Sequence, residues 1–127
     1  MRSAADEIKD LLEDVTDLVF GQTLFVGREP ATPNNVVTLY DTGGAPHLTL
    51  DNTVYEYTTI QVRVRNVSYP AAMERAYGIM TELHGHTGPI DSMSDHQLIR
   101  CIGGPSLLEY DATGRTVVVS NYELQRR

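Results

Sequence analysis

The triplet Asp-Thr-Gly at residues 41–43 is the pattern in this chain that most resembles a catalytic motif. Aspartic proteases present their acid on a turn that reads apolar-apolar-Asp-Thr-Gly, and Leu39 and Tyr40 precede the triplet here. In single-domain enzymes of this kind, each copy of a homodimer contributes one Asp, and the two like carboxylates share a proton. A second apolar-apolar-Gly segment must lie behind the acid, and Cys-Ile-Gly at residues 101–103 fits that requirement.

The interval between these two segments argues against a protease. Such enzymes close a glycine-rich hairpin over the substrate, but residues 45–77 contain no glycine. The interval instead predicts a long strand and a helix, for which the nearly all-β retroviral-type proteases have no room. A strand followed by Asp-Thr-Gly-Gly is also a common turn. We therefore interpret residues 41–44 as a strand end and turn, and a homodimeric aspartic protease using Asp41 is the remote alternative.

The histidines and the cysteine suggest no metal site. His84 and His86 flank a predicted helix end, where histidine suits the negative end of the helix dipole. With His47, His96 and Cys101 they form none of the spacings typical of zinc ligands. Nucleophile-elbow, phosphate-loop and dinucleotide-binding motifs do not occur either. We therefore expect no catalytic site, no metal and no cofactor, so the protein is not expected to be an enzyme.

Length and composition favour a single domain spanning residues 1–127, with 41% hydrophobic residues to form its core. The net charge of −7 disfavours binding to DNA, RNA or anionic membranes, although DNA could pass alongside without adhering. A single cysteine, Cys101, allows no intrachain disulfide and fits a reducing compartment. Since the acidic N-terminus is unlike a signal peptide and no apolar run is long enough to span a membrane, we expect a soluble protein made in the cytoplasm.

Hydrophobic periodicity predicts two helices. Apolar residues at three- and four-residue spacing indicate a helix over residues 3–19, with Ser3 as its N-cap and Gly21 able to stop it. A second helix begins near Pro70, which suits a first turn, and ends at the C-cap Gly85. Both helices carry one apolar stripe, so each is expected to pack against a sheet.

The strand predictions rest on alternation and on turn residues. In residues 57–66, Ile60, Val62 and Val64 alternate with Gln61, Arg63 and Arg65, which indicates a strand with one polar face. Further strands are predicted at residues 23–26, 36–40, 97–102, 107–110 and 116–124, with loops at 27–35 and 41–52 and a break at the Gly-Gly-Pro of 103–105. The order α-β-β-β-α-β-β-β predicts an α+β domain: a mixed, mainly antiparallel sheet with an N-terminal helix and a central helix packed on it.

Two charged groups are candidate interaction sites. The first helix carries acidic residues away from its apolar stripe, namely Asp10, Glu13, Asp14 and Asp17. This face is either simply solvated, or it docks a basic partner or lines a channel that must not bind DNA. Nine of the ten basic residues are arginines, which favour interfaces with carboxylates. Arg63 and Arg65, which we expect on an exposed strand face, could pair with the acidic helix of a neighbouring copy, or could only keep the strand soluble.

The order of several segments resembles the minor capsid and tail terminator proteins of tailed bacteriophages. An acidic helix is followed by VVTLYDTGGAP at 36–46, then by IQVRVR at 60–65, which runs into SYPAA at 68–72 and a helix ending LHG at 83–85. The chain closes with GPSLLEYDATGR at 104–115 and SNYELQR at 120–126. The resemblance extends from about Ile8 to Arg126. In such proteins the Asp-Thr-Gly-Gly segment is expected to be a strand end and turn without a catalytic role.

The resemblance implies a structural function in the virion. Tail terminators form a ring, usually a hexamer, that caps the tail tube, stops its polymerisation and supplies the surface for the head. The implied partners are other copies of the chain, the tail tube protein and a head-tail connector or stopper protein, with DNA passing through the ring and no membrane contact. Assembly would occur in the host cytoplasm. Another neck protein, for head completion or the tail tube, is the main alternative. Our candidates for subunit or partner contacts are Asp10, Asp14, Asp17, Arg63, Arg65, Arg115 and Arg126.

Overall fold

The computed structural model describes residues 3–48, 54–88 and 97–126, and for residues 45–48, 54–56 and 97 it describes the backbone alone. Its elements, in chain order, are α1 (Ala4–Val15), β1 (Leu24–Val26), β2 (Val36–Leu48), β3 (Val54–Asn66), α2 (Tyr69–Leu83), β4 (Gln97–Tyr110) and β5 (Thr116–Arg126).

The five strands form one sheet in the order β1-β2-β3-β5-β4. β1 runs parallel to β2, and every other neighbouring pair is antiparallel. The prediction of an α+β fold with a mixed, mainly antiparallel sheet and two packed helices is therefore confirmed. The sheet is open, with β1 at one margin and β4 at the other.

Both helices bury their apolar stripes on the same face of the sheet. Ile8 and Leu12 of α1 and Ile79 and Leu83 of α2 are buried in one core with side chains from all five strands. The alternation in β3 was predicted correctly, because Ile60, Val62 and Val64 are all buried on this face. Removing this apolar surface from water is the main source of the fold's stability.

The helix boundaries reflect local hydrogen bonds. Ser3 and Ser68 are the N-caps, and their hydroxyls accept from the amides of Asp6 and Ala71. α1 ends at Val15, so the prediction that it reaches residue 19 is wrong. Thr16 ends the helix because its hydroxyl donates to the Leu12 carbonyl and accepts from the Leu18 amide. The apolar spacing continues beyond that cap, but the helical backbone does not.

Two predicted breaks in the sheet are β-bulges. β2 continues through the Asp-Thr-Gly-Gly segment to Leu48, so the expected strand end and turn at residues 41–44 is wrong. Asp41 pairs with Ile60 and Gly43 with Thr59, which leaves Thr42 as the extra residue of the bulge. β4 likewise runs through the Gly-Gly-Pro of 103–105 as one strand, with register shifts, where we predicted two strands. A bulge absorbs the irregular residues without ending the pairing.

Candidate interaction surfaces

Asp41 connects the bulge of β2 to the start of α1. Its Oδ1 accepts a hydrogen bond from the backbone amide of Ala5, at 3.0 Å. That amide lies in the first turn of α1, where backbone N–H groups lack helical partners and the dipole favours a negative charge. Ser3 accepts from the next amide, that of Asp6, at 3.2 Å. The carboxylate that suggested a protease therefore supplies a helix cap from a neighbouring strand.

The bulge itself is fixed by threonines of β3. The hydroxyls of Thr42 and Thr59 lie 2.7 Å apart, and Thr59 also donates to the Gly43 carbonyl at 2.8 Å. Gly43 has a φ of 98°, which an L-residue rarely adopts. Gly44 packs directly against the backbone of Tyr57 and Thr58, where a Cβ atom would overlap. The Gly-Gly pair thus serves the geometry of the bulge.

Loop 27–35 covers the sheet face opposite the helices, and arginines of β3 hold it there. Arg65 Nη2 donates to the Pro33 carbonyl at 2.7 Å, and its Nε donates to the Asn34 carbonyl at 3.2 Å. Glu29 bridges both strand arginines, lying 3.2 Å from Arg65 Nη1 and 2.9 Å from Arg63 Nε. The Arg65 side chain is only 3% exposed, so the expectation that it lies on an exposed face is wrong.

Arg115, in the turn just before β5, also holds this loop. Arg115 Nη1 donates to the Ala31 carbonyl at 2.7 Å, and its Nε donates to Asp111 Oδ2 at 2.7 Å. We call Glu29, Arg63, Arg65, Asp111 and Arg115 the loop clamp. Arg63 and Arg115, like Arg65, were predicted from the sequence to contact a partner. In the structure both bind groups of their own chain.

Asp111 organises the turn between β4 and β5. Burial acts to raise the pKa of its carboxyl, but this effect is outweighed by hydrogen bonds from the Arg115 amide, the Thr113 hydroxyl, the Arg115 guanidinium and the Thr113 amide. Together they lower the pKa from 3.8 to about 2. The same oxygen, Oδ1, accepts from the Thr113 and Arg115 amides at 3.0 and 2.9 Å. The turn therefore depends on an ionised Asp111.

Arg126 is buried against the first helix. Its Nη1 lies 3.2 Å from Glu7 Oε2, and the two side chains are 4% and 0% exposed. A buried ion pair of this kind costs desolvation but fixes the relative position of its two elements. Glu7 belongs to α1 and Arg126 to the end of β5. The structure thus places this candidate contact residue inside the chain.

The three acidic residues predicted as contact sites, Asp10, Asp14 and Asp17, remain at the surface. Asp14 is exposed, and the half-exposed Asp10 lies 3.4 Å from Lys9 Nζ. Asp17 follows the end of α1, so its predicted place on the helix face is wrong. Its carboxylate lies 2.7 Å from Arg75 Nη1 of α2, and this hydrogen bond lowers its pKa below the usual 3.8. These three are the acidic members of the seven predicted contact residues, and their carboxylates reach the surface. The other four are arginines that bind within the chain.

Sequence reasoning missed two exposed apolar patches. The first lies on β4 and the turn end of the hairpin, and comprises Ile102, Leu107, Leu108 and Tyr110. The second lies at the end of α1 and in the segment that follows it, and comprises Val15, Val19 and Phe20. We call them the β4 patch and the α1 patch. The adjacent Leu107 and Leu108 were a signal for the first, because two neighbouring strand residues cannot both face the core.

The described residues contain no group of three His, Cys, Asp or Glu arranged to hold a metal ion. His84 Nδ1 accepts from the Cys101 amide at 2.9 Å and so joins the end of α2 to β4. His96, named above with the possible zinc ligands, lies outside the described residues. Within the described ranges, the helices are too short or too polar to cross a membrane.

The arrangement is that of an α+β domain in which many of the described charged side chains link elements of the same chain. A sequence model of the bacteriophage tail terminator protein family matches residues 11–127. Since this match covers nearly the whole chain, the protein belongs to the bacteriophage tail terminator family. A comparison with curated proteins finds no match. Membership of this family makes the chain a component of the virion, and the predicted resemblance to tail terminators is confirmed.

Proposed function

We propose that this protein ends the growth of the tail tube by forming a ring, with six copies expected, and that the ring carries the surface to which the head joins. The observation that carries the proposal is the family match over residues 11–127. The described fold is compatible with this role, because its sheet ends in two outer strands, β1 and β4, beside which a neighbouring subunit can pack. The implied partners are the tail tube protein and a connector or stopper protein of the head.

The acidic surface supports passage of DNA through such a ring. Phosphate binding requires clustered Lys and Arg, and the chain has a net charge of −7. Several of its arginines are occupied by carboxylates or carbonyls of the same chain, among them Arg63, Arg65 and Arg115. A ring built from such subunits would repel the DNA backbone rather than retain it.

The contact residues of the ring are also part of the proposal. Asp10, Asp14 and Asp17 are proposed to face a neighbouring copy or a virion partner, because their carboxylates reach the surface. Arg63, Arg65, Arg115 and Arg126 would support that surface indirectly, by fixing loop 27–35 and the first helix in place.

We infer that the chain is not an enzyme. Its protease-like Asp41 caps α1, and α2 occupies the interval in which a protease would close its hairpin over the substrate. The alternative that receives most support after tail termination is another neck protein of related fold, since fold alone does not fix function. A homodimeric aspartic protease is the remote alternative, and a peptide-cleavage assay with Asp41→Ala as the control tests it.

The test of the proposed function is the length of the tails that assemble without this protein. Phage particles are produced without this protein and imaged by electron microscopy. The wild-type protein is then supplied during assembly, and the particles are imaged again. We expect tails without heads and of excessive, variable length, and uniform tails with heads after resupply. Uniform tails in its absence would contradict a terminating role, and uniform tails without heads would indicate a head-joining protein alone.

A further inference from the structure

The outer edge of β4 is covered along its first half and open along its second. Residues 84–87 lie beside the first half: the Gly85 amide donates to the Ile99 carbonyl at 2.8 Å, and the Ile99 amide donates to the His86 carbonyl at 3.0 Å. From Ile102 to Tyr110, β4 is the last strand of the sheet among the described residues. The β4 patch lies on this open half.

The open half of β4 lacks the charges that usually protect an edge strand. Glu109 is its one charged residue, and its carboxylate is bound by Arg63 at 3.2 Å. Leu108 and Tyr110 are 50% and 58% exposed. Register shifts along this half disfavour simple addition of another strand, so a partner would contact mainly the side chains. Such a patch on a small protein is typical of an interface.

A second patch of similar character lies at the opposite margin of the sheet. Val19 and Phe20 of the α1 patch connect α1 to β1, and Phe20 pairs with Leu24 at that margin. Phe20 as a residue is 48% exposed, and its backbone amide donates to Glu13 Oε2 at 3.1 Å. Since β1 and β4 are the two ends of the strand order, the two patches face away from each other.

The charges beside the two patches differ in sign at one end of the β4 patch. Arg100, two residues before Ile102, has a side chain that is 60% exposed, although it reaches Glu123 Oε1 at 3.1 Å. The α1 patch is bordered by the exposed carboxylates of Asp14 and Asp17, while Lys9 Nζ lies 4.4 Å from the centroid of the Phe20 ring. Complementary charge around apolar centres fixes the register of a contact and disfavours contacts between like patches.

We propose that the β4 patch of one copy packs on the α1 patch of the next copy. This inference rests on the proposed function, in which copies of the chain form a ring. A contact between different surfaces on opposite sides of a subunit is head-to-tail, and it closes into a ring when its rotation allows. A contact between two β4 patches would instead stop at a dimer. The structure thus supplies the two different surfaces that a ring requires.

Two single substitutions test the contact. Leu108→Asp disables the β4 patch and Phe20→Asp disables the α1 patch, each placing a carboxylate in the apolar centre. Tyr77→Asp is the matched control, because Tyr77 is 49% exposed and lies on α2 outside both patches. Near-UV circular dichroism checks each fold, and Leu108→Ser or Phe20→Ser replaces an Asp variant that does not fold.

Sedimentation velocity, at protein concentrations up to about 1 mM, measures the association. We expect the wild type and Tyr77→Asp to associate. Each patch variant alone should have a self-association constant at least about 30-fold lower than that of the wild type. An equal mixture of the two patch variants should form a dimer and nothing larger, because each variant retains one intact patch. This mixed dimer distinguishes a head-to-tail contact from a symmetric one.

Three results would overturn the contact. They are a wild type that stays monomeric throughout, a patch variant that associates like the wild type, and a mixture of the patch variants that forms no dimer. None of them bears on whether tails overgrow without the protein, so the contact can fail while the proposed function stands. Conversely, tails of normal length without the protein would refute the proposed function even if the contact forms.

Discussion

Asp41 illustrates how one residue type supports different roles according to its neighbours. A catalytic acid needs a second carboxylate or a substrate beside it, whereas Asp41 has the first turn of α1. An acceptor that satisfies a free amide at a helix start typically contributes about 1 kcal/mol. The sequence predicted that Asp41 is not catalytic. It could not predict the bond to Ala5, because that bond joins residues 36 positions apart.

Asp41→Ala should therefore lower the free energy of unfolding by about 1 kcal/mol, and Asp41→Asn by less, because the amide oxygen still accepts. Urea unfolding followed by circular dichroism measures both. Asp14→Ala, at an exposed carboxylate of α1, is the control and should change stability by less than about 0.5 kcal/mol. Equal effects of Asp41→Ala and Asp14→Ala would show that the cap contributes nothing.

Gly44→Ala should destabilise the protein by about 1–3 kcal/mol, because the added methyl overlaps the Tyr57 carbonyl oxygen and forces β2 and β3 apart. Gly104→Ala is the matched control in β4, where a Cβ meets nothing within 4 Å. Thermal unfolding of the two variants provides the comparison. A Gly44→Ala protein as stable as Gly104→Ala would mean that the bulge of β2 does not have the described geometry.

The turn at Asp111 should make stability depend on pH in the acid range. The folded pKa of about 2 lies below the ordinary 3.8, so ionised Asp111 stabilises the fold above pH 3.8, and this stabilisation is lost as the pH falls toward 2. We expect the difference in unfolding free energy between wild type and Asp111→Asn to be largest above pH 4 and to shrink below it. A difference that stays constant from pH 5 to about 2 would contradict this role.

Among the elements, the loop clamp holds loop 27–35 against the face of the sheet that lies opposite the helices. The loop covers Val36 and Val117, which are buried although they lie on the face opposite the helices. Arg65 provides the central contacts, to two loop carbonyls and to Glu29. Because these loop carbonyls and the Glu29 carboxylate accept hydrogen bonds from Arg65, removal of its guanidinium leaves them without their buried donor.

Arg65→Met should therefore cost about 2–3 kcal/mol and release the loop, since it keeps the apolar length of the side chain but removes the guanidinium. Hydrogen exchange followed by mass spectrometry should show faster exchange in residues 28–35, with α1 changed little. Arg28→Met, at an exposed arginine of the same loop, is the control. If both variants gave the same exchange in the loop, the clamp would not be what holds it.

The sequence predicted elements better where their pattern is local. The alternation of β3 and the cap Ser3 depend on neighbouring residues, and both helices and most strands were predicted, although α1 ends at Val15 and the C-cap of α2 is His84 rather than Gly85. The continuity of β2 and β4 was not, because glycine and proline interrupt a strand in isolation but can be accommodated as a bulge when a long partner strand lies alongside. The clamp was missed because its carbonyl acceptors have no side-chain signal.

In the whole molecule, the two opposite margins of the sheet carry different apolar patches with different neighbouring charges. The β1 side carries the α1 patch with acidic neighbours, and the β4 side carries the β4 patch beside Arg100. Every copy also carries a net charge of −7, so copies repel one another at long range. Association should therefore be weak in dilute solution and favoured where a tube end holds several copies close together, which suits a protein that acts only when a tail is complete.

The measurement that tests the central claim most directly is electron cryomicroscopy of isolated tails incubated with the purified wild-type protein, combined with native mass spectrometry of the free protein over a range of concentrations. We expect one closed ring, of about six copies, at the head-proximal end of each tube and none along its wall. The free protein should be a monomer when dilute and should associate toward the same ring as its concentration rises. A stable dimer in solution and tube ends without added density would contradict the account.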